Sequence, residues 1–269
     1  MTGASPIEGL RICSLLPSST DIVGRLGLQD YLVACTHCCN ELPGRDLLNA
    51  VSAGELQRVT VSAIDPDTMT QAEIDLKVKQ SVHHGVSLYQ LDDAKLKIAH
   101  PTMILTQALC TVCATSYSTV IDTCNRLGDT FKEKTGCDVK VLNLEPHSCK
   151  DVARTFVEVA EHCGVKERGE ALRDEFMDGM QRIQAAVESV ELPTSTRKPR
   201  VYVVEWLDPP FDGGHWVPEQ IRYGGCDPVF NPECDRSKQR SWKEIAESDI
   251  DVVLESQGRT GSAGAKQFE

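Results

Sequence analysis

Cys110 and Cys113 stand three positions apart in TQALCTVCATS, after an apolar run and ahead of a helical pattern. A helix start lowers the pKa of a thiol, which suits metal ligation or thiol–disulfide exchange. One such pair supplies only two of the four ligands of a structural zinc site. The other pair with this spacing is Cys35 and Cys38, and the adjoining THCC (36–39) adds His37 and Cys39. Three readings stay open. His37, Cys38, Cys110 and Cys113 form a metal set for zinc or iron, or Cys110 and Cys113 form a redox pair, or the thiols line the wall of a ligand site.

Two further stretches carry suitable side chains. PSST (17–20) places Ser18, Ser19 and Thr20 between an apolar strand pattern and a helical one. Free N–H groups at such a junction favour polar or anionic ligand groups. Alternatively, Ser19 or Thr20 only caps the helix. VVEWLDPPFDGGHWVPE (203–219) combines Trp206, Asp208, His215 and Trp216 around a Pro–Pro turn and two glycines. Trp on strand-end loops gives broad rigid contact for a flat ligand, or else fills a core. Glu205, Asp208, Asp212 and Glu219 offer carboxylates, but no spacing marks an acid–base pair. No GxGxxG, P-loop, GxSxG or HExxH pattern occurs, so a non-catalytic protein is expected.

These groups need elements to hold them. RICSLL (11–16) reads as a buried strand, followed by a helix closed at Gly27 and a strand at 31–36. Residues 40–66 read as a surface loop. Helices are expected at 71–85, 92–100 and 114–127, the last closed by Gly128, and strands at 87–92, 101–107 and 139–146. Strand–helix alternation of this kind builds a mostly parallel sheet covered on both faces. A helix follows at 150–162. Leu172, Phe176, Met180, Ile183, Val187 and Val190 then keep helical spacing. From Lys166 to Val190 that helix would run about 37 Å at 1.5 Å per residue. Strands at 200–208 and 249–256, with helices at 216–224 and after Ser241, make a second α/β lobe.

The net charge of −12 argues against a nucleic-acid partner. No stretch approaches the ~18 apolar residues of a membrane span. The opening MTGASPIEGLRICSLL has no basic segment followed by an apolar signal core. Twelve cysteines in a chain large enough for a real core, several in apolar patterns, fit a reducing compartment. A cytoplasmic location is therefore expected.

Three stretches together resemble a known family. RICSLLPSSTDIVGRLGLQDYLVACTHCCNELP, LYQLDDAKLKIAHPTMILTQALCTVCA and VVEWLDPPFDGGHWVPEQIRYGG are similar to segments of the periplasmic-binding-protein-like proteins of the Fe/B12 class. The third looks like its cobalamin-binding branch, often named ABC-transporter substrate-binding proteins. The resemblance runs from about Arg11 to Glu255. It implies an α/β fold of two lobes with parallel sheets, bridged by a long helix, with a ligand in the cleft. The corresponding division is an N-terminal lobe at 11–149, bridging helices at 150–192, a partial C-terminal lobe at 200–256 and a disordered tail at 257–269. Family members continue well beyond the DIDVVLES strand, so the second lobe is expected to be incomplete. By matching position, the ligand site would comprise Ser18, Ser19, Thr20, His37, Cys38, Cys110, Cys113, Trp206, Asp208, His215 and Trp216. The implied ligand is a corrinoid such as cobalamin, or an iron chelate, with His37 or His215 as axial ligand and the two Trp against the ring. The implied partner is an ABC-transporter-type membrane protein.

Overall fold

The computed structural model describes residues 5–65, 68–84, 88–107, 117–190, 197–231, 233 and 235–256. The chain divides into two compact units. The first comprises 1–63, 78–145 and 154–173, and the second 64–77, 146–153 and 174–269.

In chain order, the first unit is built on β1 (Ile12–Ser14), α1 (Pro17–Arg25), β2 (Leu32–Cys35), α2 (Leu47–Ser52), β3 (Gln57–Arg58) and β4 (Thr60–Ser62). It continues with α3 (Gln71–His84), β5 (Tyr89–Leu91), α4 (Asp93–Ala99), β6 (Met103–Thr106), α5 (Tyr117–Thr135), β7 (Lys140–Asn143), α6 (Cys149–His162) and α7 (Lys166–Glu188). Helices α3, α6 and α7 each contribute residues to both units.

Five strands form one parallel sheet in the order β3-β2-β1-β6-β7. β1 lies in the middle, with Ser14 level with Cys35 on one side and Leu105 on the other. A central parallel strand is covered on both faces, which is why it reads as an unbroken apolar run. Cys13, Leu15, Ala34, Ile104, Val120, Cys124, Leu127 and Phe131 share one core cluster. Cys13, Cys124 and Cys163 are buried and unbonded, as their apolar setting predicts. Burial pushes the Cys124 thiol up to about 11 and that of Cys163 to about 12.

The structure corrects the sequence reading at several places. The expected loop at 40–66 holds α2, β3 and β4, and it buries Leu47, Ala50, Leu56 and Val59. β5 lies outside the parallel sheet, pairing antiparallel with β4. α5 runs through Gly128 to Thr135. Ser19 and Thr20 do not cap α1: its N-cap is Leu16, and both hydroxyls lie within the helix.

Glycines in two helices give opposite predictions. A Cβ at Gly128 would meet nothing within 4 Å, whereas one at Gly169 in α7 would press on Ala160, the Phe156 carbonyl and the Val157 Cα. Gly128→Ala should raise stability by about 0.5–1 kcal/mol through helix propensity. Gly169→Ala should lower it despite the same gain, because overpacking against backbone costs about 1–3 kcal/mol. Shifts of the urea midpoint in opposite directions check the pair, and shifts of one sign would contradict the packing.

The second unit contains β8 (Arg200–Leu207), β9 (Pro210–Asp212), α8 (Val217–Tyr223), β10 (Asp227–Pro228), α9 (Trp242–Glu247) and β11 (Val252–Glu255). β8 pairs in parallel with β10 and β11 and antiparallel with β9. β9 and β10 were not legible in the sequence. Ser241 caps α9 as expected, accepting from the Glu244 N–H at 3.1 Å. One core cluster here comprises Tyr202, Val204 and Ile245, packed by Leu207, Phe230 and Ile250. On β11, Val252, Val253 and Leu254 are exposed. Among the described residues, no helix is long and apolar enough to cross a membrane.

Candidate functional site

Each unit carries its chemistry-bearing residues at strand carboxyl ends. In the first unit, the loop after β1 folds over a buried network. Ser14 Oγ lies 2.6 Å from Ser19 Oγ and 2.8 Å from Thr20 Oγ1, and Thr20 Oγ1 lies 3.0 Å from Cys39 Sγ. Ser19 and Thr20 are fully buried, whereas Ser18 is exposed. Of the three expected ligand groups, only Ser18 faces solvent, and the other two tie α1 to β1.

The loop after β2 separates its thiols. Cys35 is buried and hydrogen-bonds Cys39, not Cys38, so the Cys35/Cys38 spacing does not make a clamp. That bond from Cys35 draws the Cys39 thiol down to about 7 against burial, with help from Thr20. Cys35, which keeps the shared proton, is pushed up. Cys38 is exposed.

His37 sits between these groups. Its Nδ1 is 2.8 Å from Thr60 Oγ1, which also accepts from the His37 N–H at 2.9 Å. Thr60 in turn donates to Thr36 Oγ1 at 3.0 Å. With the Thr60 proton spent there, Nδ1 carries the imidazole proton and Nε2 holds the lone pair. The ring stacks on Tyr89 at 5.6 Å. Arg58 pins the loop by donating to the His37 carbonyl at 2.5 Å and to that of Cys39 at 3.3 Å. Nε2 meets Cys38 Sγ at 3.1 Å, on the exposed side. Desolvation and then Arg58 hold the His37 pKa below its usual value, so the ring is neutral at neutral pH. A neutral imidazole anchored through Nδ1 is the form that ligates metals.

In the second unit, Trp206 at the end of β8 donates from Nε1 to the Asp208 carbonyl at 2.9 Å. Asp208 is exposed and joined to Pro209 by a cis bond. Trp206, His215 and Trp216 are half-buried, outside the core cluster. His215 lies 5.9 Å from Trp216 and 5.7 Å from His147, ring to ring. Burial, then His147, lower its pKa, with Glu205 opposing and Arg236 assisting.

The carboxylates here serve structure. Glu205 accepts from the Gly214 N–H at 3.1 Å and from the Ser237 hydroxyl. Glu219 accepts from the Cys149 N–H at 2.6 Å. Asp212 pairs with Arg240 at 2.6 Å.

Cys110 and Cys113 fall outside the described residues. Among those described, no three His, Cys, Asp or Glu side chains gather as a metal site. Sequence reading missed Thr60, Tyr89 and His147. The last ends the LEPH stretch (144–147) that follows β7, where the strand-end rule would have found it.

The lowered His pKa values set a pH dependence. The unfolded chain takes up protons near pH ~6.5, where folded His37, His100 and His215 still resist them. Stability should be level above that pH and fall as pH drops through it. Thermal midpoints at pH 7.5 and 5.5 check this, and a higher midpoint at 5.5 would contradict it.

No protein-family model matches the sequence, and no curated protein matches it. Solved structures do match. The periplasmic vitamin B12 binding protein BtuF of Vibrio cholerae has 16% identity and a TM-score of 0.58, over 93% of this chain and 77% of that one. The periplasmic heme-binding protein HutB of Vibrio cholerae has 17% identity and a TM-score of 0.59, with coverages of 93% and 77%. S. aureus IsdE complexed with heme has 11% identity and a TM-score of 0.58, over the same shares.

These matches overturn the expected cytoplasmic location, since proteins of this fold such as BtuF and HutB are periplasmic. The cysteine argument failed for a physical reason. Most of the described thiols are buried, and a buried thiol resists oxidation in either compartment. The chain has the fold of the substrate-binding proteins of the iron, heme and vitamin B12 class.

Proposed function

We propose that this chain is a non-catalytic binding protein for a metal chelate, either a corrinoid or an iron chelate such as heme, delivered to an ABC-transporter-type membrane partner. The observation that carries the reading is His37. Its Nδ1–H is anchored on Thr60, its ring is backed by Tyr89, and its Nε2 lies on the exposed side of a strand-end loop. This is a preset axial ligand for chelated iron or cobalt. Ser18 and Cys38 lie at the same strand ends and would contact the chelate's periphery. Ser19 and Thr20 would support the loop rather than touch ligand. Binding proteins of this fold supply the precedent, among them BtuF for vitamin B12 and IsdE for heme.

Thermal unfolding of the full chain with hemin, aquocobalamin and a ferric siderophore tests the proposal. A ligand at 100 times its Kd stabilises the folded state by about 2.7 kcal/mol. One of the three should raise the midpoint in a concentration-dependent way. No shift with any of them would remove the reading.

A further inference from the structure

We infer that His147 and His215 together bind a divalent transition-metal ion of the borderline class: cobalt, nickel, copper or zinc. This goes beyond chelate binding, since it needs no macrocycle and does not involve His37.

The two imidazoles come from separate loops of the second unit, one after β7 and one after β9. Their centroids are 5.7 Å apart, with planes inclined at 59°. Imidazole nitrogen binds such an ion at ~2.0–2.1 Å, and the ring centre lies ~1.2 Å further back, so two rings on one ion have centroids up to ~6.4 Å apart. The observed separation falls inside that span.

His215 carries the independent sign of an absent partner. Its Nδ1 is buried and has no hydrogen-bond partner. Leaving such a group unpaired costs free energy. His215 also holds a left-handed backbone, φ 54°, which non-glycine residues adopt at a cost. Its N–H is fixed by the Asp235 carbonyl at 2.7 Å. The chain thus keeps a strained residue in place to present a ring whose nitrogen satisfies nothing in the fold. A water would sit ~2.8–3.0 Å from that nitrogen, whereas a metal ion sits at ~2.0–2.1 Å.

The ligand chemistry selects the class of ion. Imidazole suits zinc, copper, nickel and cobalt, while calcium and magnesium require oxygen ligands. Glu205 lies close enough to favour positive charge at His215, and Arg236 opposes it. Among the described residues no third His, Cys, Asp or Glu completes a set. The remaining coordination positions are left to water or to donor atoms brought with the ion.

Trp216, 5.9 Å from His215, provides the readout, because paramagnetic Co2+ so close quenches its fluorescence. The full chain, stripped with EDTA, is titrated with cobalt chloride and then with zinc as competitor. Quenching should saturate at one equivalent, reverse with EDTA and be displaced by zinc. His147→Gln and His215→Asn should each weaken binding by at least about tenfold, the scale on which even loss of an outer-shell partner acts. Asn tolerates the left-handed backbone at 215. Trp216→Phe should retain the cobalt equivalent by elemental analysis while losing most of the quenching. Absence of saturable quenching, unchanged affinity in both His variants, or full quenching in Trp216→Phe would each overturn the site. Hemin and aquocobalamin binding, measured separately, can fail while cobalt binding holds, so the two readings fall independently.

Discussion

Replacing Asp212 with alanine is expected to destabilise the second unit by about 3–5 kcal/mol, the cost of stripping one partner from a buried ion pair. Asp212 is 1% exposed. Its Oδ2 accepts from Arg240 Nε at 2.7 Å and Nη2 at 2.6 Å. Its Oδ1 accepts from the Lys238 N–H at 2.6 Å and from Asn231 Nδ2 at 3.3 Å. Arg240 lies 4.7 Å over the Phe230 ring, which in turn meets Tyr202 edge-on. The variant would leave the Lys238 N–H without its partner and the half-buried guanidinium with Glu244 alone, at 3.1 Å, beside the cluster of Tyr202, Val204 and Ile245. The three tryptophans, Trp206, Trp216 and Trp242, all lie in the second unit, so their fluorescence in urea reports that unit alone. Pairing Asp212→Ala with Arg240→Met should recover part of the loss, because it removes both charges. A shift below about 1 kcal/mol would show that the pair is not a structural requirement.

The second large effect is expected at His37. His37→Ala should weaken chelate binding by at least about 10–100-fold, the range seen when even an outer-shell partner is removed. Thr60→Val provides the sharper control. It keeps the imidazole but removes the oxygen 2.8 Å from Nδ1 that fixes the tautomer. An intermediate loss of affinity is expected from a positioning residue. Equal affinity in wild type and His37→Ala would mean that the axial ligand is not His37.

Much of the first unit was legible because its signals are local. β1 is an apolar run ended by Pro17, and α5 announces itself through Val120, Cys124, Leu127 and Phe131 at helical spacing. What failed was non-local or conformational. β3 and β4 are two and three residues long, and their partners Ala34–Cys35 and Tyr89–Leu91 stand far away in sequence. Gly128 read as a stop, yet its helical backbone faces open space. At the candidate site, His37, Trp206 and Trp216 were recognisable by type and position after strands. The tautomer of His37 was not, because it depends on a hydroxyl 23 positions away. Ser19 and Thr20 looked like ligand groups because a sequence cannot tell an exposed helix start from a hydroxyl network sealed beneath it.

Binding of a chelated metal through the His37 imidazole is read by visible absorbance of the full chain titrated with hemin and, separately, aquocobalamin. A saturable spectral change at one equivalent is expected for one of them, with the bands of nitrogen axial ligation, lost in His37→Ala. Spectra that remain the sum of free chelate and protein at every ratio, for both ligands, would contradict it.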